Sequence, residues 1–233
     1  MRPPETAKSS SPHAQLEQAR QKITRRDPLW PEHLAVLTVI LLSITLPDQL
    51  TVGPTWLLPA VEGVLFAGLV ATTPRAGSEP RRRRQLRIGL VTLMSAANVA
   101  SLIFLAKFGV DGHHVSGRAL LGGGTVLWFT SVILFALWYW EMDRGGPIRR
   151  AADVDARLDF VFPQMQDPRW APRDWTPGLP DFLYLSLVNA ATFGPPESHF
   201  PLTSVAKLML ALQSVGALAT DTLIVARAVN LLG

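Results

Sequence analysis

Apolar residues in this chain come in long blocks rather than in strict alternation. Residues 30–46, 53–72, 86–108 and 119–140 each come close to the ~20 apolar residues that a tilted helix needs to cross a bilayer, and residues 200–232 form a fifth, longer block. Trp30, Trp56, Trp138 and Trp140 lie near block ends, where indole rings favour the membrane interface. A sixth stretch, residues 181–193 (DFLYLSLVNAATF), reads as helix and then stops at Gly194-Pro195-Pro196. At 1.5 Å per residue it makes a rod of about 20 Å, short of the ~30 Å hydrocarbon core. The pattern predicts an all-α, polytopic helical membrane protein with about five transmembrane helices and one re-entrant half-helix.

Composition agrees. Of 233 residues, 48% are hydrophobic and 17% charged, with a mean hydropathy of +0.22, which is too apolar for an ordinary soluble domain. With no cysteine, disulfides, thiolate metal sites and cysteine nucleophiles are excluded. A net charge of +4 and a pI near 10.0 are compatible with nucleic-acid binding, but the arginines sit beside apolar blocks. Basic loops flanking membrane spans account for them, and no nucleic-acid partner is expected. The first apolar stretch begins only at Leu34 and no small-residue cleavage pattern follows, so it reads as a retained span rather than a signal peptide.

Three regions follow. Residues 1–28 form a polar tail whose stretch after Pro12, with Leu16, Ala19 and Ile23 on one side, is either an interfacial helix or a solvated helix or coil. Residues 29–110 form a three-helix transmembrane region. Residues 111–233 hold a helix at 119–140, a connector at 141–180, the half-helix at 181–193, a turn at 194–199 and a last helix at 200–232. Arg20, Lys22, Arg25 and Arg26 precede the first span, and Arg75, Arg81, Arg82, Arg83, Arg84 and Arg87 lie between the second and third, whereas residues 47–55 carry no Lys or Arg. The positive-inside rule therefore puts the N-terminus and the arginine-rich loop in the cytoplasm.

A segment that enters lipid and turns back must hide its backbone polar groups in protein or a wet cavity, so such segments line pores or binding sites. The stretch from Ser186 to Glu197, SLVNAATFGPPE, resembles the pore helix and filter of the potassium-channel pore-loop superfamily, whose filter reads T-V-G-Y-G-D. Pro201, Thr203 and Lys207 are similar to the residues that open that family's inner helix. The resemblance covers about the last 115 residues. It implies an outer helix at 119–140, a pore helix at 181–193 carrying Ser186 and Asn189, a filter formed by Thr192, Phe193, Gly194, Pro195, Pro196 and Glu197, and an inner helix with Gly216 near a hinge position. It also implies a homotetramer. The same C-terminal half resembles a group of bacterial integral membrane proteins, which implies the bacterial inner membrane and carries no activity with it.

The filter departs from the family at Pro195 and Pro196, which replace tyrosine and the second glycine. Proline fixes φ near −65° and cannot supply positive φ, so the upper carbonyl sites are expected to be missing and potassium selectivity is not inherited. Glu197 takes the place of the filter-mouth aspartate and would ring the pore with carboxylates. The charge count puts this loop on the cytoplasmic side, inverted relative to potassium channels and similar to ionotropic glutamate receptors.

Other polar residues in apolar blocks carry alternatives. Asp221 either lines the pore or pairs with Arg227, and Gly216 is either a hinge or a helix contact. Glu62 either carries a proton or an ion, or pairs with Lys107 or a backbone donor. Asn98 reads as interhelical glue, and Ala96, Ala97, Ala100, Ser101 and Gly122 to Gly124 read as packing surfaces. His113 and His114 lack further metal ligands apart from Asp111 and read as a wet loop. Ser116 and Ser186 have no base and orienting acid, so no enzyme chemistry is expected. Phe160, Phe162, Trp170, Trp175 and Leu179 are too large and apolar for a flexible linker, so the connector is expected to fold against the membrane face or to cap the entrance of the half-helix loop, with a partner-binding surface as the alternative.

Taken together these readings predict an oligomeric, cation-conducting membrane channel in the lipid bilayer, without cofactor, its permeant species monovalent or divalent cations. The alternatives are a non-conducting scaffold that keeps the channel-like fold, or a small-solute transporter, for which no inverted repeat is visible.

Overall fold

The computed structural model describes residues 30–72, 81–111, 116–152, 156–167, 169–171, 175–196 and 199–232. The proposed interfacial helix before Pro28, His113, His114 and Glu197 lie outside these residues. The chain is mostly helical, 79% helix against 2% strand, as an all-α reading requires. Seven α-helices are described: α1 (Trp30–Ile44), α2 (Leu57–Ala71), α3 (Arg81–Asp111), α4 (Gly117–Met142), α5 (Pro147–Ala152), α6 (Leu179–Thr192) and α7 (Ser204–Leu232). Two short strands, β1 (Phe160–Val161) and β2 (Phe200–Pro201), pair antiparallel with Phe160 opposite Pro201.

Three helices are long and apolar enough to cross a membrane, over Arg81–Gly109, Gly117–Gly145 and Ser204–Val229, which is compatible with a membrane-embedded protein. The first two blocks form shorter rods of 15 residues each, about 22 Å. They end early because Pro47 and Pro54 bracket a loop with a single 3₁₀ turn at Asp48–Leu50. Arg81 to Arg84, expected in a loop, instead form the first turn of α3. Carboxylates on neighbouring helices explain this: Glu32 and Glu141 draw the Arg87 side chain into the bundle, and Glu141 also pairs with the exposed Arg84 at its edge.

Helix α4 is the central post, packed against α1, α3, α6 and α7. Its glycines make this possible. Gly123 receives the Leu50 side chain, and a Cβ at Gly124 would lie 2.8 Å from Ile224 of α7, so larger residues at either position would push those elements apart. One apolar core joins Val36 and Val39 of α1, Leu90 and Met94 of α3, Leu137 and Trp140 of α4, Phe182 and Leu185 of α6, and Ala206 and Leu210 of α7. Ser116 caps α4 by accepting from the Ala119 amide at 3.2 Å, so its hydroxyl is structural.

The connector folds, as its aromatic content requires. Phe160 and Phe162 are buried, and ring contacts link Tyr139, Phe160, Phe162, Trp175 and Phe182. Trp170 stays exposed. Two aspartates tie this cap to the helices. Asp143 accepts from the amides of Asp159 (3.2 Å) and Phe160 (3.4 Å), and Asp159 accepts from the Thr203 hydroxyl (2.6 Å) and, through its carbonyl, from the Leu202 amide (2.8 Å). The start of α7 is thereby held next to the end of α4.

Candidate functional site

Helix α6 begins at Leu179 with Pro180 in its first turn, where proline is tolerated, and the Asp181 carboxylate accepts from the Gly178 amide at 2.8 Å. It runs 14 residues to Thr192. Phe193 then adopts left-handed backbone, φ 56° and ψ 27°. Glycine usually takes this helix-ending position, and Gly194 is next in line, but Gly194 precedes Pro195. A residue before proline is driven towards extended backbone, so the left-handed turn falls on Phe193 instead. The chain then doubles back. His199 stacks edge-on against Phe162 at 5.0 Å and lies 6.0 Å from the Tyr184 ring, level with the first turns of α6. Strand β2 follows, and α7 starts beside the beginning of α6 rather than beyond its end.

The return turn has its own hydrogen bonding. The Thr192 hydroxyl lies 2.7 Å from the Val188 carbonyl and 2.8 Å from the Gly194 carbonyl, so the Gly194 backbone oxygen has a donor within its own chain. Phe193 and Pro195 are exposed and Pro196 is half-buried.

Ser186 and Asn189 are fully buried and face inward to a polar knot between α4, α6 and α7. Ser186 donates to the Val132 carbonyl at 2.7 Å and accepts from Gln213 Nε2 at 2.6 Å, and Gln213 Nε2 also donates to the Ser186 carbonyl at 3.0 Å. Gln213 Oε1 accepts from the Tyr139 hydroxyl at 2.5 Å and from Asn189 Nδ2 at 2.9 Å. Asn189 Nδ2 donates to the Leu210 carbonyl at 3.1 Å, and its oxygen accepts from Ser214 at 3.3 Å. All four hydrogen-bonding positions of the Gln213 amide are therefore used. Sequence reasoning had singled out Ser186 and Asn189 but missed Gln213 and Tyr139. An amide in the middle of an apolar helix was the available signal, since such groups bond across helices in lipid.

Asp221 and Gly216 sit elsewhere on α7. Asp221 is half-buried beside Trp128 of α4, and a Cβ on Gly216 would meet nothing within 4 Å. Arg227 donates to the carbonyls of Phe108 (3.1 Å) and Gly109, which cap the end of α3. Large apolar side chains of α7, among them Val205, Leu208, Leu212, Val215 and Leu218, are exposed, as are Leu183, Tyr184 and Leu187 of α6.

At the arginine-bearing end of the bundle lies a second polar cluster. Arg87 Nε is 2.8 Å from Glu141 Oε2 and 3.7 Å from Glu32 Oε1, and Arg84 Nε is 3.3 Å from Glu141 Oε1. Arg150 meets Asp143 at 3.4 Å, and both Arg87 and Arg150 lie over the Trp140 ring at about 6 Å. Burial against the aromatic cap pushes the His199 imidazole pKa below its ordinary value, while the nearby Asp181 carboxylate partly opposes the shift. No group of three or more metal-ligating side chains occurs among the described residues. No known family model, curated protein or solved structure matches the chain.

Proposed function

We propose that the chain is one subunit of an oligomeric membrane channel, four copies of which surround a cation path at their α6 ends. In this reading α4 is the outer helix, α6 a re-entrant pore helix entering from the cytoplasmic side, residues 193–199 the return, and α7 the inner helix. The arginine-bearing end faces the cytoplasm under the positive-inside rule, and the shorter α1 and α2 complete five crossings. The observation that carries the reading is the path of the chain: a 14-residue helix and its return lie between two long apolar helices. Such a path is stable in lipid only where protein or water satisfies the turn. The exposed apolar faces of α6 and α7 are adjacent and fit contacts between subunits.

A second reading has an observation of its own. The Gly194 carbonyl already has the Thr192 hydroxyl at 2.8 Å, and the outward face of α7 is apolar, which favours a non-conducting scaffold with a dry centre. Planar-bilayer recording of purified protein in NaCl, KCl and CaCl2, comparing wild type with Glu197→Gln, separates the two. The channel reading expects cation currents that Glu197→Gln diminishes. Silence in all three salts at both polarities, from protein that cross-links as a tetramer, establishes the scaffold.

A further inference from the structure

Glu62 of α2 is 1% exposed, and its carboxylate accepts from the Ser43 hydroxyl at 3.4 Å. The expected partner Lys107 is exposed at the far end of α3. Beside Glu62, between α1, α2, α3 and α4, lies a cavity of about 30 Å³ whose polar lining includes Ser43, Thr51, Thr55, Asn98 and Thr130. Glu62 is its one titratable lining group among the described residues. Asn98 and Thr130 are 6% and 5% exposed, and Asn98 Oδ1 and Thr130 Oγ1 have no hydrogen-bond partner. The orientation of Asn98 is set from the other side. Its Nδ2 donates to Ser131 at 2.8 Å, on the groove facing α7, which turns Oδ1 the opposite way, towards this cavity.

The chemistry is that of a small oxygen-lined site. An ionised carboxyl in an apolar helix bundle is expensive unless a cation accompanies it. A proton alone would neutralise Glu62 but would leave two neighbouring acceptors unused. A volume of about 30 Å³ exceeds the ~10–15 Å³ that one small occupant requires. One carboxylate balances one positive charge, and divalent cations need more ligands and more charge than this site offers. Thr51 and Thr55 are half-buried in the α1–α2 loop, so the cavity has a route to that end of the bundle.

We propose that Glu62, Asn98 Oδ1, Thr130 Oγ1 and Ser43 Oγ form a binding site for a partly dehydrated sodium ion, independent of any pore at α6. The ion ties α1 and α2 to the α3–α4 pair, and protons compete with it at Glu62. Thermal unfolding of the full-length protein in detergent tests this at constant ionic strength, with NaCl or KCl replacing choline chloride. Sodium is expected to raise the melting temperature saturably at pH 8, potassium to do so weakly, and the sodium effect to shrink at pH 6. Glu62→Gln removes the sodium response. Thr130→Val, which keeps the shape and deletes one ligand, raises the half-saturating sodium concentration by about tenfold. Equal melting in all three salts overturns the proposal, as does a sodium response that survives both substitutions or a response to pH without one to sodium. If Glu62→Gln fails to fold, Thr130→Val decides alone. The readout is ion-linked stability rather than current, so a silent pore leaves the outcome intact.

Discussion

Two buried polar clusters hold this bundle together, and they differ in charge. At the end where α1 and α3 begin and α4 finishes, Glu32, Arg87, Glu141, Asp143 and Arg150 form an ionic cluster against Trp140. Between α4, α6 and α7, Tyr139, Ser186, Asn189, Gln213 and Ser214 form a knot with no formal charge. The difference follows depth along the helices. Near a helix end, charges are cheaper to hold because water and interfacial groups are close, whereas deep in an apolar bundle a neutral network has no ions to desolvate. The ionic cluster sets how three helices converge, and the neutral knot sets the rotation and depth of α6.

The comparison can be broken at its charged side first. Arg87→Met leaves the carboxylates of Glu32 and Glu141 without their central cation and should destabilise the protein by about 3–5 kcal/mol. Adding Glu32→Gln and Glu141→Gln should recover most of that loss. Reversible unfolding in mixed micelles measures both, and no recovery in the triple variant would mean that Arg87 acts through packing. On the neutral side, Gln213→Leu removes four hydrogen bonds and leaves the buried Tyr139 hydroxyl without its acceptor, for an expected loss of about 2–3 kcal/mol by the same assay. A loss below about 0.5 kcal/mol would show that the knot relaxes onto other partners.

A smaller effect is expected where α6 ends. Phe193→Gly relieves the left-handed backbone and should stabilise the isolated subunit by about 1 kcal/mol. The same substitution should weaken the oligomer on cross-linking if Phe193 packs between subunits. The smallest effect concerns pH. The folded-state pKa of His199 is lowered, so the unfolded chain takes up its proton first as pH falls. The stability contribution is full above the unfolded value of about 6.5 and is lost as pH drops through the folded value. Melts at pH 7.5 and 5.5 should therefore diverge more for wild type than for His199→Gln, and equal divergence would remove His199 from the account.

The helical class, the apolar blocks and the early stop of α6 were legible in the chain because they depend on hydrophobic run length and on proline. Helix ends fell close to their expected places: 181–193 against Leu179–Thr192, and 119–140 against Gly117–Met142. The folding of the connector was legible too, from its aromatic residues. Its partners were not, because the hydrogen bonds that tie Asp159 to Asp143, Arg144 and Thr203 join positions between 15 and 44 residues apart.

For the candidate sites the division is sharper. Hydropathy marks Glu62, Asn98, Ser186, Asn189 and Gln213 as out of place in their segments, but it cannot say which of them meet. Burial pairs Ser186 and Asn189 with Gln213 in a closed knot, and leaves Asn98 and Thr130 beside Glu62 with acceptors still open. Local composition determined which segments are helical and apolar, since that depends on each residue's own transfer free energy. Which polar groups satisfy one another was decided by the tertiary structure alone, since a hydrogen bond across helices depends on rotation and depth, which no single helix specifies.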